Sequence, residues 1–396
     1  MENTVVHQET ESAVQLYFEN QQRQWGDSAS EGSVVEVLDR VGINAPSNSL
    51  KELRDIWKGW MPQSRLTFSQ IYGHIGFLLH MSINPNVIEV LVEFWNPSYC
   101  CFTLDGVNLA PTVEKYVSLL HLAKLSTPYK KYVPTQTSIA KEMFKVTEVK
   151  VQKLGDSKIT WEYLKKLLKM EEGEEAHLFL FALAIYDLLI FPKELGTIDH
   201  ATIAFVARVK EGANLVHGIL SELFWSLNKC RTKRHARLTC CVPLLYVWLQ
   251  HLVNKGIVWQ APWIEKSKVV YKFENLHWVP LLGPWGGISY APLMFRSQVG
   301  TMQFIPMTHG LADAQFAYEA DDSQKKVQEF VVSWRHVHVV ESTNQNSRAK
   351  ESYKLWRLNR VNHRVRQTTK APTRKKLPKE SVHPYERKAL KTATKE

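Results

Sequence analysis

The dipeptide Asp105-Gly106 lies at the centre of a stretch that limits what the neighbouring segments can form. Two-residue β-hairpins favour this pair, because both central positions take a positive φ. Strand-like residues flank it, so the sequence predicts a hairpin over residues 99–109. Apolar residues at helical spacing predict a helix over 86–95 before the hairpin. Pro111 suits the first turn of a second helix over 111–122.

Apolar residues recur at steps of three and four through much of the rest of the chain, which is the pattern of helices with one buried face. The other predicted helices are residues 50–60, 67–81, 138–150, 160–170, 176–190, 198–210, 213–228 and 238–254. The helix over 176–190 is apolar on all sides and is therefore expected in the centre of the core. Ser49-Leu50-Lys51-Glu52 has the spacing of a capping box. Residues 256–310 favour short strands and irregular structure, and residues 325–340 fit either a helix or a strand.

These patterns predict a mainly α fold, in which residues 49–340 form a single large helical domain with one or two short β-hairpins. Residues 1–48 are predicted to be a weakly structured lead-in, and residues 341–396 a basic, disordered C-terminal tail. With 44% hydrophobic residues and 13 tryptophans among 396 residues, the chain can bury a large core.

Cysteine usage and hydropathy indicate a soluble intracellular protein. The five cysteines are Cys100, Cys101, Cys230, Cys240 and Cys241, and this odd number without a C-x-x-C pattern favours buried, reduced thiols over a disulfide framework. The first residues are acidic and polar and lack the apolar stretch of a secretory signal. The longest apolar run, His177–Phe191, is too short to span a bilayer. We therefore expect no membrane partner.

Positive charge is concentrated near the C-terminus, although the formal net charge of the whole chain is only +11. From Arg348 onward there are 16 Lys or Arg against 4 Asp or Glu, a balance of +12. The remainder holds 34 basic and 35 acidic residues. Any nucleic-acid binding predicted from charge must therefore be assigned to residues 348–396, called the basic C-terminal segment below.

Two groups of side chains in the basic C-terminal segment are candidates for nucleic-acid contacts or nuclear import. One is a proline-flanked Lys/Arg cluster, and the other interleaves cations with Tyr353 and Trp356, an arrangement that favours stacking on bases. The candidates are Arg357, Arg360, Arg364, Arg366, Arg374, Lys375, Lys376 and Lys379. The alternative is a solvated segment without a specific partner, as charge runs often are.

We find no motif in the sequence that predicts catalysis or cofactor binding. There is no G-x-S-x-G, H-E-x-x-H or P-loop pattern, and Gly283–Gly287 reads as a turn, because it lacks the spacing and the following helix that cradle a phosphate. His336 and His338 would share one face of a strand, but no third ligand follows at a metal-site spacing. Adjacent cysteines point to opposite faces of a strand, which is unsuited to zinc. We therefore expect no catalytic residues, metal, cofactor or small-molecule substrate.

Three hydrophobic segments resemble the plant mobile domain, a transposon-derived family also described as aminotransferase-like or meristem-maintenance-like. They are Phe94–Pro97 with the hairpin and residues 109–116, then Phe181–Pro192 with the helices that follow, and then Cys240–Leu249 with residues 278–281 and 303–306. The resemblance covers residues 30–320, and the chain is most similar to a plant subgroup that is abundant in cotton-like genomes. The stretch between Leu252 and Trp263 is shorter than in those relatives.

The resemblance implies a nuclear, non-enzymatic role in transposon silencing, genome stability or meristem maintenance, carried out with protein partners. No pyridoxal-phosphate lysine or phosphate loop matches the aminotransferase label. Two other classes stay open: a nucleic-acid-binding module that acts through the basic C-terminal segment, and a relic transferase or nuclease of a mobile element. A pocket of polar groups with perturbed pKa values would favour the enzyme, and a positive face on the folded body would favour the binding module.

Overall fold

The computed structural model confirms a mainly α fold with small antiparallel sheets. It describes residues 47–104, 107–122, 158–169, 174–192, 196–233, 236–254, 268–273, 278–292 and 311–341, together with residues 352, 355, 356, 358 and 359. The predicted lead-in before Ser47, the helix over 138–150 and most of the predicted tail lie outside these residues, as does the dipeptide Asp105-Gly106.

The first two helices form a corner: α1 is Ser47–Gly59 and α2 is Pro62–Tyr72. Because α1 begins at Ser47, Ser49 lies inside the helix and is not its N-cap. The predicted single helix over 67–81 is wrong, because Gly73 adopts a φ of 69° and the chain continues as the 3-10 helix His74–His80. Glycine tolerates this backbone conformation, whereas other residues are strained there.

Helix α3, Pro85–Glu93, is followed by a three-stranded sheet of β1 (Trp95–Asn96), β2 (Cys101–Leu104) and β3 (Val107–Leu109). The predicted helix over 86–95 is therefore too long at its C-terminal end, since Trp95 pairs with Phe102 across β1 and β2.

The predicted hairpin is confirmed by the register of β2 and β3. Leu104 pairs with Val107, so two residues connect the strands, as the Asp105-Gly106 pair requires. Helix α4 then covers Val113–Leu119, which is shorter than the predicted 111–122. Thr112 is its N-cap and accepts a hydrogen bond from the backbone N–H of Lys115 at 3.3 Å, so Pro111 precedes the helix instead of occupying its first turn.

The middle of the chain supplies the most apolar helix. Strand β4 (Lys158–Thr160) pairs with β5 (Thr197–Asp199), and between them lie α5 (Trp161–Lys169) and α6 (Glu174–Ile185). Helix α6 widens into the π-helix Tyr186–Ile190. Every residue from Leu178 to Phe191 is buried, which confirms the predicted central position of this helix.

The two helices that follow, α7 (His200–Lys210) and α8 (Leu215–Thr232), complete the helical layer. Helix α8 lies between the β1 sheet with α3 and α4 on one side and strands of the C-terminal region on the other. Helix α9 is Val242–Asn254 and starts later than the predicted residue 238. Residues 236–241 are not helical, and the N–H of Thr239 donates to Ser226 Oγ of α8 at 2.7 Å.

The C-terminal part of the body consists of short strands and one helix, as predicted for most of this region. Strand β6 (Lys268–Phe273) pairs with β10 (Val337–Glu341), and β7 (Val279–Leu282), β8 (Gly286–Tyr290) and β9 (Phe316–Ala317) form a second sheet. Helix α10 is Ser323–Ser333, so the segment that fitted either a helix or a strand contains both.

No single helix among the described residues is long and apolar enough to cross a bilayer. The 3-10 helix His74–His80 and α3 pass the length and composition test only as a pair, and a bend of 112° separates them.

The packing of the 3-10 helix against α1 generates a stability prediction. A Cβ added at Gly76 would lie 2.7 Å from Trp57, whose ring is held by stacking on Phe181 at a centroid distance of 5.8 Å. We expect Gly76→Ala to lower the free energy of unfolding by about 1–3 kcal/mol through overpacking. Gly59→Ala is the matched control, because nothing lies within 4 Å of its added Cβ.

Urea denaturation of both variants measures this difference. The control should be unchanged or stabilised by up to about 1 kcal/mol, because alanine restricts the unfolded chain more than glycine does. Equal stability of the Gly76→Ala variant and the native protein would contradict the close packing of these two helices.

Candidate functional site

Helix α8 carries a row of buried polar side chains, in contrast to the apolar α6. The row begins at the N-cap of the helix, and its members at positions 214, 217, 221 and 228 share one side of α8, because they recur at steps of three, four and seven residues. The members at 222 and 226 are four residues apart and lie on an adjacent side. Its members, called the α8 polar row, are Asn214, His217, Ser221, Glu222, Ser226 and Asn228. Because buried polar groups need partners, the surroundings of this row determine what it can do.

At the C-terminal end, Asn228 links the β1 sheet to the C-terminal region. Its Oδ1 accepts a hydrogen bond from Trp95 Nε1 at 2.7 Å, and its Nδ2 donates to Gln315 Oε1 at 2.7 Å. One turn further, Arg231 forms an ion pair with Glu93 of α3. These contacts hold the elements around α8 together and are structural in character.

In the middle of the row, the Gly283–Gly287 turn lies directly on α8. A Cβ at Gly283 would be 2.5 Å from Glu222 Oε1 and 2.9 Å from Ser221 Oγ, so a side chain there would force these two residues to move. The N–H of Gly283 donates to the carbonyl of Gly286 at 2.8 Å. This confirms the prediction of a turn, and that N–H is already used within the hairpin instead of facing a phosphate.

His217, near the N-terminal end, is buried against the ring of Trp334, with 5.0 Å between the ring centroids. Burial lowers its pKa from 6.5 to about 4, because the charged imidazolium would lose its hydration. The imidazole is therefore neutral at physiological pH.

The cysteines are buried, as predicted from the sequence. Burial, with a smaller contribution from Cys101, raises the pKa of Cys100 to about 12, and burial raises that of Cys241 to about 12. Nucleophilic or metal-ligating cysteines need the opposite shift, toward the thiolate. Among the described residues no group of three or more His, Cys, Asp or Glu could hold a metal ion.

The histidine pair near the end of the body is arranged differently from the prediction. Strand β10 begins at Val337, so His338 lies in the strand whereas His336 precedes it in a bend. The two imidazoles therefore do not share one face of a strand.

The eight candidate cations of the basic C-terminal segment, from Arg357 to Lys379, lie outside the described residues. The segment does, however, contain one side chain that the structure places on the body. Trp356 is only 7% exposed and packs edge-on against Tyr99, with 5.6 Å between ring centroids. The interpretation of Trp356 as a surface for base stacking is therefore wrong, because its ring is already covered by the body.

Sequence reasoning missed both the α8 polar row and the role of Trp356. A signal existed for the row, because polar residues recur within an otherwise apolar helix. A signal also existed for Trp356, since a tryptophan between Leu355 and Leu358 is an apolar group within a charged segment. The count of charges alone did not reveal that Trp356 packs on the body.

Comparison with known proteins gives one family. A family described as a domain of unknown function (DUF7745) matches residues 50–255 and 249–362. The chain belongs to this family. Its matched region extends to residue 362 and so includes Trp356, beyond the boundary predicted at residue 340. No curated protein and no solved structure matches the chain.

The buried imidazole generates a pH prediction. Because His217 has a folded-state pKa of about 4, below the unfolded value of 6.5, its neutral burial stabilises the protein fully above pH 6.5, and this contribution is lost as the pH falls toward 4. We expect acidification from pH 7 to 4 to lower the stability of the native protein by about 3 kcal/mol more than that of His217→Gln. Chemical denaturation across this range measures the difference. Parallel pH curves for the two proteins would contradict the assignment.

The position of Trp356 predicts that the start of the basic C-terminal segment contributes to stability. Trp356→Ala should lower the free energy of unfolding by about 3 kcal/mol, since a nearly buried indole leaves a cavity. Leu355→Ala is the matched control, because Leu355 is 61% exposed, and it should change stability by less than about 0.5 kcal/mol. Thermal and urea unfolding report both effects. An unchanged stability for Trp356→Ala would show that the indole does not dock in solution.

Proposed function

We propose that this protein is a non-enzymatic nuclear protein of mobile-element origin, which binds the nucleic-acid backbone through its basic C-terminal segment and acts with protein partners. Transposon silencing, genome stability and meristem maintenance are the roles that its resemblance to plant mobile domain proteins favours. The observation that carries the nucleic-acid part of the proposal is the charge distribution. The basic C-terminal segment has a balance of +12, while the rest of the chain is nearly neutral.

The electrostatic argument is one of counterion release. A chain that neutralises phosphates with Lys and Arg side chains releases condensed cations from the nucleic acid, and this gain does not depend on base sequence. Arg374, Lys375 and Lys376 are consecutive cations, and Lys379 follows closely. A dense cluster of this kind also has the composition of a nuclear import signal.

The position of Trp356 supports this proposal, because this residue attaches the basic C-terminal segment to the body. The indole packs beside Tyr99, in the turn between β1 and β2. The cations that follow residue 356 in the sequence are therefore tied to this place on the body by the chain, and a nucleic acid that they bind would be held near the β1 sheet.

The state of the buried ionisable groups supports a non-enzymatic role. Within the described part of the chain, burial raises the pKa of the thiols of Cys100, Cys240 and Cys241 and lowers that of His217. Thiols with raised pKa values stay protonated and do not supply a thiolate nucleophile. An imidazole whose pKa is lowered this far is a weak general base. The α8 polar row is therefore better suited to holding the core together than to catalysis.

Salt-dependent binding tests the proposal. If about 6–8 basic residues contact phosphates, the affinity for duplex DNA should fall by about three to four decades between 50 and 200 mM salt. Replacing Arg374, Lys375, Lys376 and Lys379 by Gln should reduce the log–log slope by up to about 3.6, which is 0.9 for each lost phosphate contact. Fluorescence anisotropy of labelled DNA over a salt series measures this slope.

The matched control removes the same number of charges from the body. Lys166, Lys169, Lys233 and Lys325 are exposed, and their replacement by Gln should leave the slope unchanged. Fluorescent fusions of both variants in plant cells test nuclear accumulation, which only the first variant should lose. If the two quadruple variants behave alike, the basic C-terminal segment is not the binding surface.

A further inference from the structure

Exposed large apolar side chains on the described residues occur in only two places. One pair is Leu355 with Leu358, and the other is Met61 with Leu66 at the corner between α1 and α2. Met61 is 74% exposed and Leu66 is 52% exposed. Single exposed aliphatic side chains are normal on a protein surface. Here, however, positively charged side chains lie on the same two helices.

Four cations lie on the two helices that meet at this corner. Lys51, Arg54 and Lys58 follow one line of α1 at steps of three and four residues. Arg65 of α2 joins them, because its Nη2 donates to the carbonyl of Lys58 at 2.8 Å. The surface formed by Lys51, Arg54, Lys58, Met61, Arg65 and Leu66 is called the α1–α2 patch below.

A shared neighbour shows that three of these cations, Arg54, Lys58 and Arg65, converge. His80, at the end of the 3-10 helix, has a pKa lowered first by burial and then by Arg54, Lys58 and Arg65 together. Arg54 also donates from its Nε to the carbonyl of Leu79, which fixes it beside this imidazole. The positive groups therefore form one local cluster instead of separate surface charges.

The carboxylates of α1 do not balance this cluster. Glu52 is directed toward α5, where Lys165 lies 3.7 Å from its Oε2. Asp55 adjoins the row, so α1 and α2 themselves contribute four cations and one carboxylate to the α1–α2 patch. An acidic segment with apolar side chains would match both properties of the surface.

The chain itself contains such a segment. Residues 1–46 have 8 Asp or Glu against 2 Arg and no Lys, and they immediately precede α1. Within them, Val14, Leu16, Tyr17 and Phe18 stand between Glu11 and Glu19. We infer that the stretch Glu9–Glu19 docks on the α1–α2 patch, with its apolar side chains on Met61 and Leu66 and its carboxylates beside the four cations. This inference is independent of the proposed function.

The length of the connection permits this docking. Phe18 and Ser47 are 29 positions apart, and a fully extended chain of that length spans at most about 100 Å. Helix α1 has 13 residues and is about 20 Å long, so the connection reaches its far end. Tethering supplies a local concentration in the millimolar range, which allows a weak contact to be occupied.

A nucleic acid fits the α1–α2 patch less well. Met61 and Leu66 offer no donor to a phosphate and no aromatic face to a base. Trp57 lies beneath Arg65, with the guanidinium carbon 5.7 Å from the ring centroid, and its ring also stacks on Phe181. The aromatic faces that single-stranded nucleic acids use are therefore covered at this corner.

Hydrogen–deuterium exchange on the full chain tests the inference. Amides of residues 9–19 should exchange about tenfold more slowly in the native protein than in Met61→Ser/Leu66→Ser, because docking buries them and the double variant removes the apolar contact. Leu355→Ser/Leu358→Ser is the matched control, since it removes an equally exposed apolar pair elsewhere, and it should keep the slow exchange.

Charge exchange provides a second measurement. Lys58→Glu should speed the exchange of residues 9–19, and adding Glu19→Lys should restore it, because opposite charges then face each other again. Slow exchange that disappears on dilution would identify a second copy of the chain as the occupant and overturn the inference. Equally fast exchange of residues 9–19 in the native protein and in Met61→Ser/Leu66→Ser would also overturn the inference. The same holds if variants of the α1–α2 patch weaken DNA binding but leave the exchange of residues 9–19 unchanged.

Discussion

The burial of α8 is the constraint on which most of the structure depends. This helix is enclosed on both sides, by α3, α4 and the β1 sheet on one and by β7 and β8 on the other. Because it carries polar residues into the core, its neighbours must supply hydrogen-bond partners at defined positions. Asn228 shows the result, since it joins Trp95 and Gln315, which lie far apart in sequence. A buried indole N–H without that partner would lower stability by about 1–3 kcal/mol.

The close contact between α8 and the Gly283 turn follows from the same constraint. Gly283 approaches Ser221 and Glu222 so closely that a side chain there would displace them. This turn and the strands it connects are therefore positioned by α8, although some sixty residues separate them from it in the sequence. A glycine-rich stretch that resembles a ligand loop by composition is here a packing element.

The proposed function rests on surface charge more than on the core. The sequence shows that the last residues are basic, and the structure adds the place where they begin, because Trp356 is buried beside Tyr99. The α1–α2 patch is a second basic surface with exposed apolar side chains. The opposite charges of residues 1–46 and of these two basic regions indicate that intramolecular electrostatics influence what the protein can bind.

The sequence alone determined the fold class, the hairpin register and the central position of α6, because apolar periodicity and the Asp105-Gly106 pair act locally. Tertiary contacts decided the rest. The helix predicted over 67–81 ends at Gly73, where the backbone turns against Leu120 and Leu122, and Trp95 leaves α3 to pair with Phe102. Trp356 lies in a charged segment, yet it is buried because Tyr99, distant in sequence, offers it a surface. Periodicity reports which side of an element is apolar, but it does not report which distant residue will cover that side.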